Sequence, residues 1–507
     1  MKNKELKMGV ILSYIALFVE NIIPLFYTPW MLGLMGKSEY GLYNLSHSVV
    51  GYLSLLSIGL GTSIIKFLSD KIANEDREGE NRLVGLFLAI YIIIGAVSLI
   101  CGVVIAWKAE LFFGQSLTIA EVGKLRILII LSTINTAITF PVTVFNALII
   151  AHQKFIFNKS LGLFFTIITP CINIIILASG LRSIGLVFTA TVLNIISGII
   201  KMLYCFVQLE IRPIFKNMDF SLLKPIYKYS IFIFIAEISS MLYWSTDKIL
   251  LGAFCGTAMV SVYSVGAAFN TYYCAFSTAI SNVMFPKINA MVQKNADNKK
   301  LSDVFIMVGR LQFLILCLIT TGFILFGKAF IVLVWGGPSY IEAYYIALIT
   351  MLPSLVPLIQ NVGLSIIQAK SKHQFRTICF FIIAIINIIT SWIFVRDYGI
   401  MGCAIPTGVA YLLGQGITMN WYYWKKIGLD IPQFWKNIVK MVLPVLPLCV
   451  LSGFFIKIFG IQTRGVLFSS ILVYVIIYII IVWKTVMNQF EKDLFINLIK
   501  SLHIKKK

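Results

Sequence analysis

The chain has 507 residues, 59% of them hydrophobic and only 12% charged, with a formal net charge of +21 and a mean hydropathy of +0.91. Counting Gly in place of Tyr raises the apolar share to roughly 62%, against about 45–50% for soluble domains. A water-soluble enzyme of this length, which needs polar cover for its core, is excluded, as is a disordered chain. The positive charge then reads as cationic loops beside a membrane and not as a nucleic-acid surface.

A helical span needs about 20 mostly apolar residues. In chain order fourteen segments qualify: roughly 8–32, 42–68, 84–107, 124–150, 159–180, 185–208, 229–252, 259–285, 304–334, 343–368, 375–395, 400–424, 438–459 and 466–483. The expected fold is therefore an all-α polytopic membrane protein with fourteen transmembrane helices. Met1-Lys-Asn-Lys-Glu-Leu-Lys7 precedes an apolar run too long for the h-region of a cleaved signal peptide, so it reads as an uncleaved first span. With the N-terminus inside, the cytoplasmic segments hold 29 Lys and Arg and the outer segments nine. That ratio favours cytoplasmic N- and C-termini.

The connecting loops are short, so no separate soluble domain is expected. After Trp483 a partial helical stripe of Val486, Phe490, Leu494, Leu498 and Leu502 leads to Lys505-Lys506-Lys507. A helix lying on the anionic inner leaflet and a frayed basic tail both fit it.

The two halves of the chain repeat. Glu20-Asn-Ile-Ile-Pro-Leu-Phe-Tyr-Thr28 aligns without a gap on Glu237-Ile-Ser-Ser-Met-Leu-Tyr-Trp-Ser245. Tyr43, Tyr52 and Ser57 align on Tyr263, Tyr272 and Ser277, and Gly185 aligns on Gly402. Spans 1–6 (residues 1–228) therefore read as a copy of spans 7–12 (229–424), with spans 13–14 and a basic tail (425–507) appended. Six spans per copy is an even number, so both copies share one orientation. A pseudo-twofold along the membrane normal and a central polar cavity follow as expectations.

Ionisable groups inside spans are costly, so each needs an explanation. Glu20 lies near mid-membrane on one helical face with Ser13, Pro24 and Tyr27, and Glu237 shares a face with Met241, Trp244 and Lys248. Such carboxylates suit cation coupling or hydrogen bonds to sugar hydroxyls; packing within a helix bundle is the plainer reading. Lys66 shares a face with Ser48, Tyr52, Gly59 and Thr62, while span 8 presents Tyr272, Ala275, Ala279 and Asn282. Arg310 lies low on span 9. Lys66, Lys248 and Arg310 would make a cavity cationic and fit for a diphosphate, which Arg grips bidentately; snorkelling to headgroups competes for Lys66 and Arg310 and prevails for Lys201. The expected cavity set is Glu20, Asn21, Tyr52, Lys66, Glu237, Lys248, Tyr272, Asn282 and Arg310. Prolines 141 and 357 fall at nearly matching places in spans 4 and 10, where hinges would serve gating.

The sequence holds no G-x-S-x-G or H-E-x-x-H motif, and its four His and nine Cys form no ligand pattern. No enzymatic activity, metal or cofactor is expected.

Four motifs carry a family resemblance: Pro29-Trp-Met-Leu-Gly-Leu-Met-Gly36 with Tyr40-Gly-Leu-Tyr43, Asp247-Lys-Ile-Leu-Leu-Gly252, Trp335-Gly-Gly-Pro-Ser-Tyr340, and Tyr398-Gly-Ile-Met-Gly402. With them the chain resembles the bacterial oligosaccharide flippases that export polysaccharide repeat units, in the superfamily of multidrug and toxic-compound extrusion transporters. The resemblance implies two six-helix halves and movement of an undecaprenyl-diphosphate-linked oligosaccharide from the inner to the outer leaflet of the bacterial cytoplasmic membrane. It makes membrane lipids, a polysaccharide polymerase and glycosyltransferases the candidate partners. A cation-coupled drug antiporter on the same scaffold is the alternative.

Overall fold

The computed structural model describes residues 2–57, 60–216 and 223–504, and all their regular elements are helical. Gly59, the side chains of Ser13, Thr62, Leu498 and Leu502, and Lys505-Lys506-Lys507 lie outside the described residues. In chain order the helices are α1 (Lys2–Met35), α2 (Lys37–Ser54), α3 (Leu60–Ala73), α4 (Arg77–Trp107), α5 (Ala109–Phe113), α6 (Ile119–Ala151), α7 (Phe155–Ala178), α8 (Arg182–Val207), α9 (Leu223–Trp244) and α10 (Thr246–Phe254). They continue with α11 (Thr257–Gln293), α12 (Asn298–Phe330), α13 (Ile341–Ile359), α14 (Asn361–Ala369), α15 (Gln374–Tyr411), α16 (Met419–Tyr422), α17 (Ile431–Phe459), α18 (Arg464–Ile481) and α19 (Gln489–Ile504).

A helix satisfies its own backbone inside lipid, but its ends need partners. The sequence supplies them between spans. Asp76 accepts from the Gly79 amide at 2.8 Å, Asp430 from Gln433 at 3.0 Å and Thr463 from Val466 at 3.3 Å. Thr118 and Glu121 form a reciprocal capping box. Between such caps the helices expose Ile93, Ile100, Ile386, Ile393, Leu443, Val450, Leu472 and many more large apolar side chains. In water so much apolar surface would drive association; in a bilayer it is the lipid face.

Nine helical stretches among the described residues are long and apolar enough to cross a membrane, and one of them, Gln374–Ile427, covers two expected spans. Together they account for spans 3–6 and 9–14. Span 2 departs from expectation. It breaks into α2, a 3-10 turn at Leu55–Ser57, and α3, so Tyr52 and Lys66 do not share one continuous helical face. The matched prolines also differ. α6 runs unbroken through Pro141, whereas α13 stops at Ile359, two residues after Pro357.

The chain divides into two compact units, Met1–Ser264 with Phe380–Cys403, and Val265–Cys379 with Ala404–Lys507. In the first, α3, α4, α6 and α8 enclose a core of Ile64, Leu68, Phe87, Tyr91, Phe140, Val144, Leu148 and Cys205. Gly102 lets α4 approach α6, since a Cβ there would stand 2.3 Å from the Thr133 side chain. In the second, α12 packs on α13, α17 and α18. Phe305 meets Phe434 at 4.8 Å, and the Tyr478 hydroxyl donates to the Leu314 carbonyl at 2.8 Å.

Candidate functional site

Exposed polar side chains on bilayer-crossing helices mark water-lined surface, because lipid-facing positions are apolar. Four helices of the first unit carry such groups. On α1 the exposed aromatic and aliphatic stripe is Ile15, Phe18, Phe26 and Trp30, and Glu20 is also exposed. At 100° per residue Glu20 points roughly 135° away from the centre of that stripe, so the helix has a second exposed side. Asn21 beside it is half-buried. On α2 His47 alone is exposed; Tyr43 packs its ring edge-on at 4.5 Å, and Lys248 lies within electrostatic reach. Among residues 234–244 of α9, Glu237 alone is exposed. Lys66 is exposed on α3, which packs on α9.

The neighbouring polar groups are engaged. The Tyr52 hydroxyl donates to the Met241 carbonyl at 3.1 Å and meets Thr246 Oγ1 at 2.5 Å. It thus pins α2 to the α9–α10 junction, the single turn residue Ser245. Lys248 is half-buried, and the adjacent Asp247 is buried and accepts from the Tyr263 hydroxyl.

In the second unit α11 carries an exposed polar stripe. Thr271, Thr278, Asn282 and Gln293 are exposed and Asn289 is half-buried, with Ala275 and Ala279 between them. Spacings of seven, four, seven and four keep all five polar positions within an arc of about 60°. Thr271, Thr278 and Asn282 lie within the expected span 259–285, over about 17 Å at 1.5 Å per residue, and Asn289 and Gln293 continue the stripe on the cytoplasmic extension of the helix. α11 is not among the nine apolar stretches found in the described residues, which fits a helix whose one side meets water. Tyr272 is half-buried, edge-on to Trp335 at 6.4 Å.

Arg310, expected in the cavity, is instead buried, at 9% exposure. Its Nε and Nη2 donate to the two carboxylate oxygens of Glu491 at 2.6 and 3.0 Å, Nη2 also reaches the Val486 carbonyl at 3.0 Å, and Nη1 lies 3.5 Å from Asn437 Oδ1. Glu491 is fully buried and forms a capping box with Asn488, each backbone amide donating to the other's side chain at 2.9 Å. With its fork so occupied, Arg310 holds α19 onto α12 and α17.

A polar network joins α2, α6, α8 and the first turn of α11 in the first unit. Ser38 and Thr257 both donate to Glu121 Oε1, at 2.6 and 2.7 Å. Lys124 and Ser183 both donate to Glu39. Gly41 permits the approach, since a Cβ there would lie 1.8 Å from the Thr257 carbonyl oxygen. Burial alone would raise the Glu121 carboxyl, but hydrogen bonds from Ser38, Thr257 and both the amide and hydroxyl of Thr118 hold it at about 2. Burial likewise opposes ionisation of Glu39, and the hydrogen bonds and charge of Lys124, with Ser183, leave it below its ordinary value.

The structure therefore brings Glu20, Lys66 and Glu237 to exposed positions in the first unit and Asn282 in the second, and commits Tyr52 and Arg310 to packing. Sequence reasoning passed over His47, although it is the one histidine inside a span, and Thr271 and Thr278, which a test for exposed polar periodicity along span 8 would have found.

These features belong to a known transporter fold. The chain superposes over 96% of its length on the whole of "Lipid II flippase MurJ, inward closed conformation", with a TM-score of 0.75 at 16% identity. An inward-facing multidrug resistance MATE family transporter of the MOP superfamily is matched over 83% of this chain and 99% of that one, with a TM-score of 0.63 at 13% identity. The class is thus a helical, multi-pass membrane protein with the fold of these flippases and transporters. "Probable low-salt glycan biosynthesis flippase Agl15" of Haloferax volcanii is 21% identical over 200 residues, a stretch spanning 39% of this chain and 41% of that relative. The family described as "Polysaccharide biosynthesis protein" matches residues 6–292, more than half of the sequence. The chain belongs to that family.

Proposed function

We propose that the chain is a flippase that carries undecaprenyl-diphosphate-linked oligosaccharide repeat units from the inner to the outer leaflet of the bacterial cytoplasmic membrane, for surface polysaccharide biosynthesis. The observation that carries this reading is the polar stripe on α11, with Thr271, Thr278, Asn282 and Gln293 exposed and Asn289 half-buried, which runs from within span 8 to its cytoplasmic end. Amides and hydroxyls donate and accept, as sugar hydroxyls require. Sugars and a diphosphate do not cross about 30 Å of hydrocarbon without such a path.

Lys66 and Lys248 are the proposed partners of the diphosphate, and Glu20, Asn21, His47 and Glu237 the proposed sugar-facing groups. The apolar groove of about 480 Å³ lined by Phe326, Phe455, Phe459, Val473, Tyr474 and Ile477 suits part of a prenyl chain. Movement follows alternating access, by rocking of the copies 1–228 and 229–424 with 425–507 appended. The Ser38–Glu121–Thr257 network supports this: it ties α2 and α6 of the first copy to α11 of the second, at the end that the lysine bias puts outside. Opening outward requires its release. With the inside negative, outward movement of an anion gains about 2.3 kcal/mol per charge per 100 mV.

The second reading is a cation-coupled multidrug antiporter, favoured by the exposed carboxylates Glu20 and Glu237. Deletion of the gene decides between them. Loss of surface polysaccharide with accumulation of its lipid-linked precursor is the flippase result. Unchanged polysaccharide with raised drug sensitivity would overturn it and favour the antiporter.

A further inference from the structure

Four lysines lie within three residues in sequence of Asn437, Val486 and Glu491, the groups that hold Arg310. Lys436 and Lys440 flank Asn437 on α17, Lys484 precedes Val486 in the π-helical turn Val482–Val486 that follows α18, and Lys492 follows Glu491 on α19. Three are exposed and Lys492 is half-buried; among the described residues none of the four makes an ion pair. The carboxylates nearest in sequence are taken. Glu491 holds Arg310, and Asp493 accepts from Gln489 Nε2 at 3.0 Å. On α19 the side that bears Glu491 is turned to the protein, while Phe490 and Leu494, one turn apart, are exposed at 51% and 38%. A helix fixed at its first turn, right after a membrane-crossing helix, with an exposed apolar pair beside like-signed charges, has the chemistry of a bilayer surface.

We propose that this corner binds anionic phospholipid headgroups, with α19 lying on the membrane surface, Phe490 and Leu494 at the acyl boundary and Lys436, Lys440, Lys484 and Lys492 meeting phosphates. The Arg310–Glu491 clasp sets the angle at which α19 leaves α18. The proposal rests on α18 spanning the membrane and is independent of what the protein transports. Charge complementarity favours lipid over a protein partner, because the four lysines face a single exposed carboxylate, Asp493, and follow directly on a membrane-crossing helix.

The test is amide hydrogen exchange over 488–504 in the full-length protein, in nanodiscs of neutral phosphatidylcholine and in discs containing about 30% phosphatidylglycerol. Exchange is expected to be at least about fivefold slower in the anionic discs, the factor worth of one surface lysine. About 0.5 M salt, or the combined K436Q, K440Q, K484Q and K492Q substitutions, should remove the difference. The apolar contribution is read separately with F490S, which should speed exchange in both lipids and keep the anionic preference. Equal exchange in the two compositions overturns the proposal. So does a preference that survives the four-lysine variant, which would assign the protection to a co-purified protein or to internal packing.

Discussion

Glu237 and Arg310 are both ionisable residues on membrane-crossing helices, and the fold treats them in opposite ways. Glu237 is the exposed side chain of its stretch of α9, whereas Arg310 is sealed beneath α19 with its donors committed to Glu491, Val486 and Asn437. An exposed charge in a span keeps its water and is available to a ligand. A buried charge is tolerated only with an opposite charge and filled hydrogen bonds, and its value is to register the elements it joins. Position along a helix says that an ionisable residue needs a partner; packing decides whether the partner is water, substrate or another side chain.

The comparison breaks most decisively at Arg310. Arg310→Ala leaves Glu491 buried without its cation and should destabilise the protein by about 3–5 kcal/mol, read as a lower melting temperature in detergent. Arg310→Met with Glu491→Leu should recover most of that loss. A stable Arg310→Ala protein defective only in transport would return Arg310 to the passage.

Glu237→Gln and Glu20→Gln should do the reverse. Each is expected to change stability by no more than about 0.5 kcal/mol and to lower transport about tenfold or more, the loss of one charge-assisted hydrogen bond. Transport is followed as release of lipid-linked oligosaccharide to the outer leaflet of proteoliposomes. Full activity in both variants sinks a ligand role for the carboxylates.

Asn282→Leu with Thr278→Leu sharpens the same contrast on α11. The pair should leave the stability within about 1 kcal/mol of wild type and cut transport, because it places an apolar gap in the stripe. Unchanged transport means that substrate passes elsewhere.

The smallest effect belongs to Glu121. Its folded-state pKa of about 2 lies below the ordinary 4.5, so its contribution is fully present above about pH 4.5 and fades as pH falls towards 2. The stability gap between wild type and Glu121→Gln should stay constant from about pH 8 to 5 and close below about 4.5. A gap that widens on acidification contradicts the ionised network.

Much of this was legible in the sequence. Apolar runs located the spans, and the matched glutamates drew attention to α1 and α9. The break after Ser54 was not legible, because the 3-10 turn at Leu55–Ser57 is made of residues whose composition and hydropathy match the helices around it. Arg310 was not either, since its partner Glu491 lies 181 residues away, in a tail whose sequence fits a docked helix and a frayed end equally well.

The sequence by itself determined that the chain is a helical membrane protein with short connecting loops. Hydrophobic transfer and the obligation to pair every backbone group in lipid are local properties, summed over some twenty neighbours at a time. Tertiary structure alone decided which in-span charges meet water and which are sealed. That outcome depends on what covers each helical face, and the covering element is set by long-range packing that periodicity does not encode.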